Sequence, residues 1–190
     1  ANMVQVVLSG LTKEGKVVRP RIGVGGQPVD TDIAGSLGMR RPIGVLINKI
    51  FPRGPADRAG IKVGDVIIAI NKQEINDTSA LRFRIATQPI GSRSKLKLIR
   101  KGSLIEFGVN IETPPNEPKP NLTYLSADSP LQGASIANLS PALADEIRMN
   151  LFSTGVVIID VNGRSPALRF GVQVGDIILK VNEIEITNVN

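Results

Sequence analysis

Lys95-Leu96-Lys97-Leu98 alternates polar and apolar residues with a period of two, the pattern of a strand with one solvated face. With residues 105–111 it predicts a hairpin over 95–100 and 105–111, turning at Lys101-Gly102. Other apolar runs are short, rich in Val and Ile, and bounded by Gly, Pro or Asn. Residues 22–29, 44–50, 66–70, 155–161 and 177–181 therefore read as strands. Helical spacing is rarer. Residues 3, 4, 7, 8 and 11 are apolar, the stripe of an amphipathic helix that Gly15 would end. Asp77-Thr78-Ser79 caps a helix to about Thr87, with Ala80, Leu81 and Ile85 on one face and Arg82 and Arg84 turned away. Shorter helices are expected over 31–37, with Thr31 or Asp32 near its cap, and from Ser140-Pro141 to about Met149. The fold class is mainly β with short helices (α+β).

The same string occurs twice. Residues 44–75 align without a gap to residues 155–186, 111 positions on, and 15 of the 32 positions are identical. In each copy a Val/Ile strand leads to Gly54-Pro55 or Ser165-Pro166, a helix start that tolerates proline's missing N–H. Gly60 and Gly171 stand where such a one-turn helix must end. Val63-Gly64-Asp65 and Val174-Gly175-Asp176 turn into the next aliphatic strand, which Asn71 or Asn182 closes. A spacing this wide suits two small domains in tandem rather than a solenoid. Residues 113–120 hold four prolines in eight positions and read as a semi-rigid linker. The expected organisation is a helix and junction over 1–20, a first module over 21–113, a linker over 114–120 and a second module over 121–190. The second copy is followed by no counterpart of residues 79–111, so the second module is expected to be C-terminally incomplete.

Residues 54–71, Gly-Pro-Ala-x-x-Ala-Gly-Ile-x-x-Gly-Asp-Val-Ile-x-x-Ile-Asn, resemble the core of a bacterial-type PDZ domain, and residues 165–182 do so equally. Preceded by Lys16-Val17-Val18-Arg19-Pro20-Arg21-Ile22-Gly23-Val24, the pair resembles the C-terminal part of the HtrA/Deg family of serine endoproteases. The resemblance implies two PDZ-like, partly open β-barrel or sandwich modules, the second truncated. It implies a peptide-binding and regulatory role beside an upstream protease domain, in a periplasmic quality-control protein. Its partners would be C-terminal or unfolded segments of substrates, that protease domain, and neighbouring protomers. A PDZ scaffold of another membrane protease or secretion machine is the rival reading.

Within this resemblance Arg21-Ile22-Gly23-Val24 occupies the place of the carboxylate-binding loop. A free carboxylate needs several N–H donors aimed at one point, and a Gly-containing turn presents consecutive amides as such a nest. The peptide would then add as a strand beside Val24, Gly25, Gly26 and Gln27. Ile22, Val24, Leu81 and Ile85 would surround its last side chain. Leu131-Gln132-Gly133-Ala134 resembles the corresponding second loop, with Gln in place of an aliphatic residue.

Composition removes several alternatives. The chain has no histidine and no cysteine, so it lacks the imidazole base of a Ser-His-Asp triad and the usual zinc ligands. The chain itself reads as non-enzymatic, with no cofactor and no metal. The net charge of +6 invites a nucleic-acid reading, but aromatics make up only 3% and none interleave with the basic residues to stack bases. Gly10 to Lys16 has phosphate-loop spacing, yet Val17 stands where Ser or Thr must hold magnesium. Gly23-Val24-Gly25-Gly26 lacks the third glycine of a dinucleotide loop, since Pro28 takes its place. Asp30 and Asp32 read as helix caps rather than a metal pair. No apolar run approaches the ~18 residues of a membrane span.

Overall fold

The computed structural model describes residues 19–189. The amphipathic helix expected over residues 3–11 and the phosphate-loop spacing at 10–16 lie outside the described residues. The chain divides into two compact units between Pro114 and Pro115. Both are mainly β with a few short helices, and their sheets are open rather than closed barrels.

The first unit carries strands β1 (Val24–Pro28), β2 (Val45–Ile50), β3 (Val66–Ile70), β4 (Gln73–Glu74), β5 (Arg93–Arg100) and β6 (Ser103–Asn110). They form one antiparallel sheet in the order β1-β2-β3-β5-β6, with β4 paired to β3. Among the described residues three helices accompany them: α1 (Thr31–Ser36), α2 (Pro55–Arg58) and α3 (Thr78–Ala86). The hairpin expected at Lys101-Gly102 joins β5 and β6, both turn residues having positive φ (49° and 76°). Asn71 and Lys72 do the same between β3 and β4, and that two-residue β4 is not visible in the hydrophobic pattern. The cap of α1 is Asp30, whose carboxylate accepts the Ile33 N–H at 2.8 Å: it is one of the two aspartates read as caps, one residue before the Thr31 also expected there.

Aliphatic side chains fill the first unit. Ile47, Ile67, Ile70, Leu96 and Leu98 are fully buried in a cluster that also takes in Ile22, Leu81 and Ile85. At about 2 kcal/mol for each fully buried side chain, such a cluster holds a small sheet together without Trp. On the opposite face Ala34 of α1 meets Val29 and Val66.

The aspartate of the repeat has a structural role. Asp65 is 1% exposed and receives Arg100 through two bonds, Nε to Oδ1 and Nη2 to Oδ2, each 2.7 Å. It also accepts the Lys62 N–H at 2.8 Å. Hydrogen bonding to Asp65 raises the Arg100 pKa above its ordinary value, against the opposing effect of burial. The guanidinium further donates to the Gly60 carbonyl at 2.8 Å and lies over the Phe107 ring at 5.2 Å. In the second copy Asp176 accepts the Gln173 N–H at 2.8 Å, so the turn recurs.

The second unit has strands β7 (Thr123–Tyr124), β8 (Ala134–Asn138), β9 (Val156–Val161) and β10 (Ile177–Ile178), in the order β10-β9-β8-β7. A separate pair is formed by β11 (Lys180–Val181) and β12 (Ile184–Glu185). Helices α4 (Pro141–Glu146) and α5 (Pro166–Arg169) start on Ser140 and Ser165, whose hydroxyls accept the Leu143 and Leu168 N–H groups. α4 ends three residues before the expected Met149. The single strand expected over 177–181 is split into β10 and β11. In the first unit β5 holds the far half of β3 through Ala69↔Lys97 and Ile70↔Leu96; no described strand of the second unit does this for its counterpart. The proline-rich residues are not free chain. The Pro115 carbonyl accepts the Ala142 N–H at 3.0 Å, and Pro120 accepts the Asn138 N–H at 2.6 Å.

Candidate functional site

The first unit ends at β1, whose outer edge is paired with no strand among the described residues. α3 runs beside that edge, so strand and helix bound a groove. The helix is fixed at both ends. Asp77 accepts the Ala80 N–H at 2.7 Å, the expected N-cap. At its C-terminal end Asn71 Nδ2 donates to Gln88 Oε1 at 3.0 Å, while Asn71 Oδ1 accepts the Lys95 N–H at 2.9 Å. Asn71 thus ties the groove helix to β5.

At the head of the groove lies Arg21-Ile22-Gly23-Val24. Arg21 exchanges two backbone hydrogen bonds with Glu112, 2.7 and 3.2 Å. The carbonyl of Ile22 accepts the Ala56 N–H at 2.9 Å and that of Gly23 accepts the Phe51 N–H at 2.8 Å. Both carbonyls are therefore consumed on the inner side. The amides of Ile22 and Gly23 donate to nothing among the described residues. The Phe51-to-Gly23 bond also makes Val24↔Ile50 a non-hydrogen-bonded pair, which turns the Val24 N–H toward the free edge. Gly23 has φ +77°, and a Cβ there would sit 3.3 Å from Phe51 Cβ. This is a backbone conformation that glycine adopts without penalty.

The other expected site residues divide by environment. Ile22, Leu81 and Ile85 are 2%, 4% and 6% exposed and share one cluster, with Val24 packed half-buried against it. The structure brings the four together, the first three as core beneath the groove. Gly25 and Gly26 straddle a β-bulge, and a Cβ on Gly26 would meet the Leu46 carbonyl at 2.5 Å. Gly26 therefore serves close approach of β1 to β2, while Gln27 is exposed. Sequence reasoning missed Phe51 and Ala56 as braces of the loop. Both act through main-chain N–H groups, so no residue type signals them.

The carbonyls of Leu131-Gln132-Gly133-Ala134 are braced in the same way, while Gln132 N–H donates to the Ser129 carbonyl and Ala134 N–H to that of Leu131. The Gln132 carbonyl accepts the Ala167 N–H at 3.1 Å and the Gly133 carbonyl accepts the Asn162 N–H at 2.9 Å. Gly133 has φ +88°. Among the described residues no group of three or more acidic or other metal-ligating side chains is clustered, and no helix is long and apolar enough to cross a membrane.

Comparisons with known proteins agree with this architecture. A PDZ domain model matches residues 20–111 and a second PDZ domain model matches residues 95–190. The chain belongs to the PDZ-domain family, as a tandem of two such domains of the kind found in DegP-like serine endoproteases. It is 32% identical over 189 residues to a probable periplasmic serine endoprotease DegP-like of Chlamydia muridarum, covering 98% of this chain and 36% of that protein. It is 29% identical over 189 residues to the periplasmic serine endoprotease DegP of Escherichia coli, covering 100% of this chain and 37% of that protein. Among solved structures, the HtrA-type protease AlgW with decapeptide matches with TM-score 0.51 and 26% identity, over 60% of this chain and 35% of that one. The chain spans a little over a third of the length of these curated relatives.

Proposed function

We propose that the first module captures the free C-terminal end of other polypeptides, delivering them to a serine endoprotease of which this chain is the PDZ region. The carrying observation is that, among the described residues, the Ile22 and Gly23 amides have no acceptor and lie beside an unpaired β1 edge. An incoming strand antiparallel to β1 extends the sheet by backbone hydrogen bonds, and its terminal carboxylate meets the loop amides. A charged acceptor makes these bonds roughly twice as strong as neutral ones. Val24, above the cluster of Ile22, Leu81 and Ile85, favours an apolar last side chain. Solved HtrA-type relatives carrying a peptide support this reading, and the names of the relatives support a periplasmic serine endoprotease as parent.

The test is calorimetric titration with an apolar-ended peptide as free acid and as C-terminal amide. The acid is expected to bind at roughly micromolar Kd, about −8 kcal/mol, and the amide at least about tenfold more weakly. Equal affinity of the two would refute the carboxylate nest.

A further inference from the structure

The two loops share their carbonyl braces: Phe51 and Asn162 hold one carbonyl, Ala56 and Ala167 the preceding one. They differ in their amides. Gln132 N–H donates to the Ser129 carbonyl at 3.0 Å and Ala134 N–H to that of Leu131 at 3.1 Å, whereas Ile22 N–H has no acceptor among the described residues. The central glycines differ too. Gly23 N–H has no acceptor among the described residues, whereas Gly133 N–H donates to the Leu125 carbonyl at 2.8 Å. Leu125 N–H in turn donates to the Ala134 carbonyl at 2.9 Å. From there the chain lies along the outer edge of β8. Tyr124 stands opposite Ser135 and Thr123 opposite Ile136. The Pro120 carbonyl accepts the Asn138 N–H at 2.6 Å, and that of Lys119 accepts Asn138 Nδ2 at 2.8 Å. β7 is antiparallel to β8 with its C-terminal end at the loop, the direction a peptide must take to bring its last carbonyl to the amides. The Leu125 side chain packs on the cluster of Ala134, Ile136, Val156, Ile158 and Ala167. Its neighbour Tyr124 stays 57% exposed, as alternation on an added strand requires.

We propose that residues 119–125 are an internal ligand of the second module. They fill its strand-addition site in cis, Leu125 serving as the anchor and its main-chain carbonyl standing where a carboxylate oxygen would. Among the described residues the first groove is open, whereas the second is filled by its own chain. An ordinary hairpin across residues 126–132 would leave no site behind when displaced. A filled groove leaves one that takes the same short segment, Thr-Tyr-Leu, from another molecule. The occupant is an internal segment with a neutral carbonyl, so a true C-terminal carboxylate would bind the vacated amide more strongly. The short connection gives the cis segment an effective concentration on the order of millimolar, which keeps free peptides out until the segment is weakened. The proposal rests on the strand-addition reading of the loops, but its readout lies on different residues.

The probe is the pentapeptide of residues 121–125, Asn-Leu-Thr-Tyr-Leu, as free acid, titrated into the isotope-labelled 190-residue chain. Amide signals of Gly23 and Val24 report the first groove, those of Gly133 and Ala134 the second. In the unaltered chain Gly133 and Ala134 are expected to stay unmoved, with the Gly133 amide protected from exchange. In Leu125→Ala, which keeps the backbone, and in Thr123→Pro, which removes a ladder N–H, they are expected to respond. Affinity at the second groove should rise at least about tenfold as the anchor is lost. Gly133 and Ala134 unmoved at millimolar peptide in a folded variant would overturn the proposal. So would an unprotected Gly133 amide in the unaltered chain, or loss of the second unit's fold in both variants. Silence at Gly23 and Val24 would count against the first-module reading alone.

Discussion

Gly23 and Gly133 occupy the same place in the two loops, yet a methyl group at each meets different surroundings. Both have φ near +80°, so replacement by alanine carries the same left-handed penalty of about 1–2 kcal/mol. At Gly23 the new Cβ lies 3.3 Å from Phe51 Cβ, which a shift of a few tenths of an ångström relieves. At Gly133 it falls 2.2 Å from Ser165 Cβ, and only parting the loop from α5 can relieve that. Parting them breaks the Ala167-to-Gln132 and Asn162-to-Gly133 bonds, at about 1 kcal/mol each. Gly23→Ala should therefore cost about 1–2 kcal/mol and Gly133→Ala about 3–4 kcal/mol. The first unit already has glycine, Gly54, at the position of Ser165. Ser165→Gly alone sacrifices little more than a cap, a few tenths of a kcal/mol, and leaves Ser165 Cα as nearest atom at an ordinary 3.5 Å. The double variant Gly133→Ala/Ser165→Gly should thus return to about 1–2 kcal/mol, a coupling of about 2 kcal/mol. Urea denaturation of the 190-residue chain, followed by amide signals of β2 and β9 separately, measures each unit's share. The reasoning fails if Gly133→Ala costs no more than Gly23→Ala, or if Ser165→Gly does not restore it.

Other outcomes follow from bonds already described. Arg100→Ala leaves the buried Asp65 carboxylate without its cation and should destabilise the first unit by about 3 kcal/mol; a urea midpoint unchanged from wild type would contradict this. Arg100→Lys should recover only part of the loss, because an ammonium cannot make the two parallel bonds. Asp77→Ala removes the cap of the groove helix, for about 1 kcal/mol, and should speed exchange at Ala80 and Leu81 before it affects β5. Asn71→Gly keeps the left-handed backbone but loses the side-chain bonds to Gln88 and Lys95. A loss of about 1 kcal/mol, with weaker peptide binding through a looser α3, is expected in denaturation and titration.

The elements most legible in the sequence are those whose signal is local. Gly54-Pro55 and Gly60 encode the start and stop of α2 by backbone conformation alone, and the Lys95-Leu96-Lys97-Leu98 alternation maps directly onto the faces of β5. Asp77 is legible as a cap because its bond reaches only three residues along the chain. The Asp65–Arg100 pair is not legible, since its partners are 35 residues apart and each looks like an ordinary surface charge. The loop at Gly23 is placed by the family resemblance, but the bracing by Phe51 and Ala56 uses main-chain N–H groups, which leave no trace in residue type. Occupation of the second groove was hidden for a related reason. Thr123-Tyr124-Leu125 is too short for periodicity, and its meaning comes from the strand it lies against.

Pro28 closes β1. It has no N–H to offer an added strand, so hydrogen bonding along this edge ends within about four residues of the carboxylate loop. On the proposed reading, the first module then samples only the tail of whatever it holds, and everything upstream passes unread. Such a short footprint makes the module a sensor of exposed chain ends rather than of particular proteins. Broad client range is built in by one ring closure at the end of one strand.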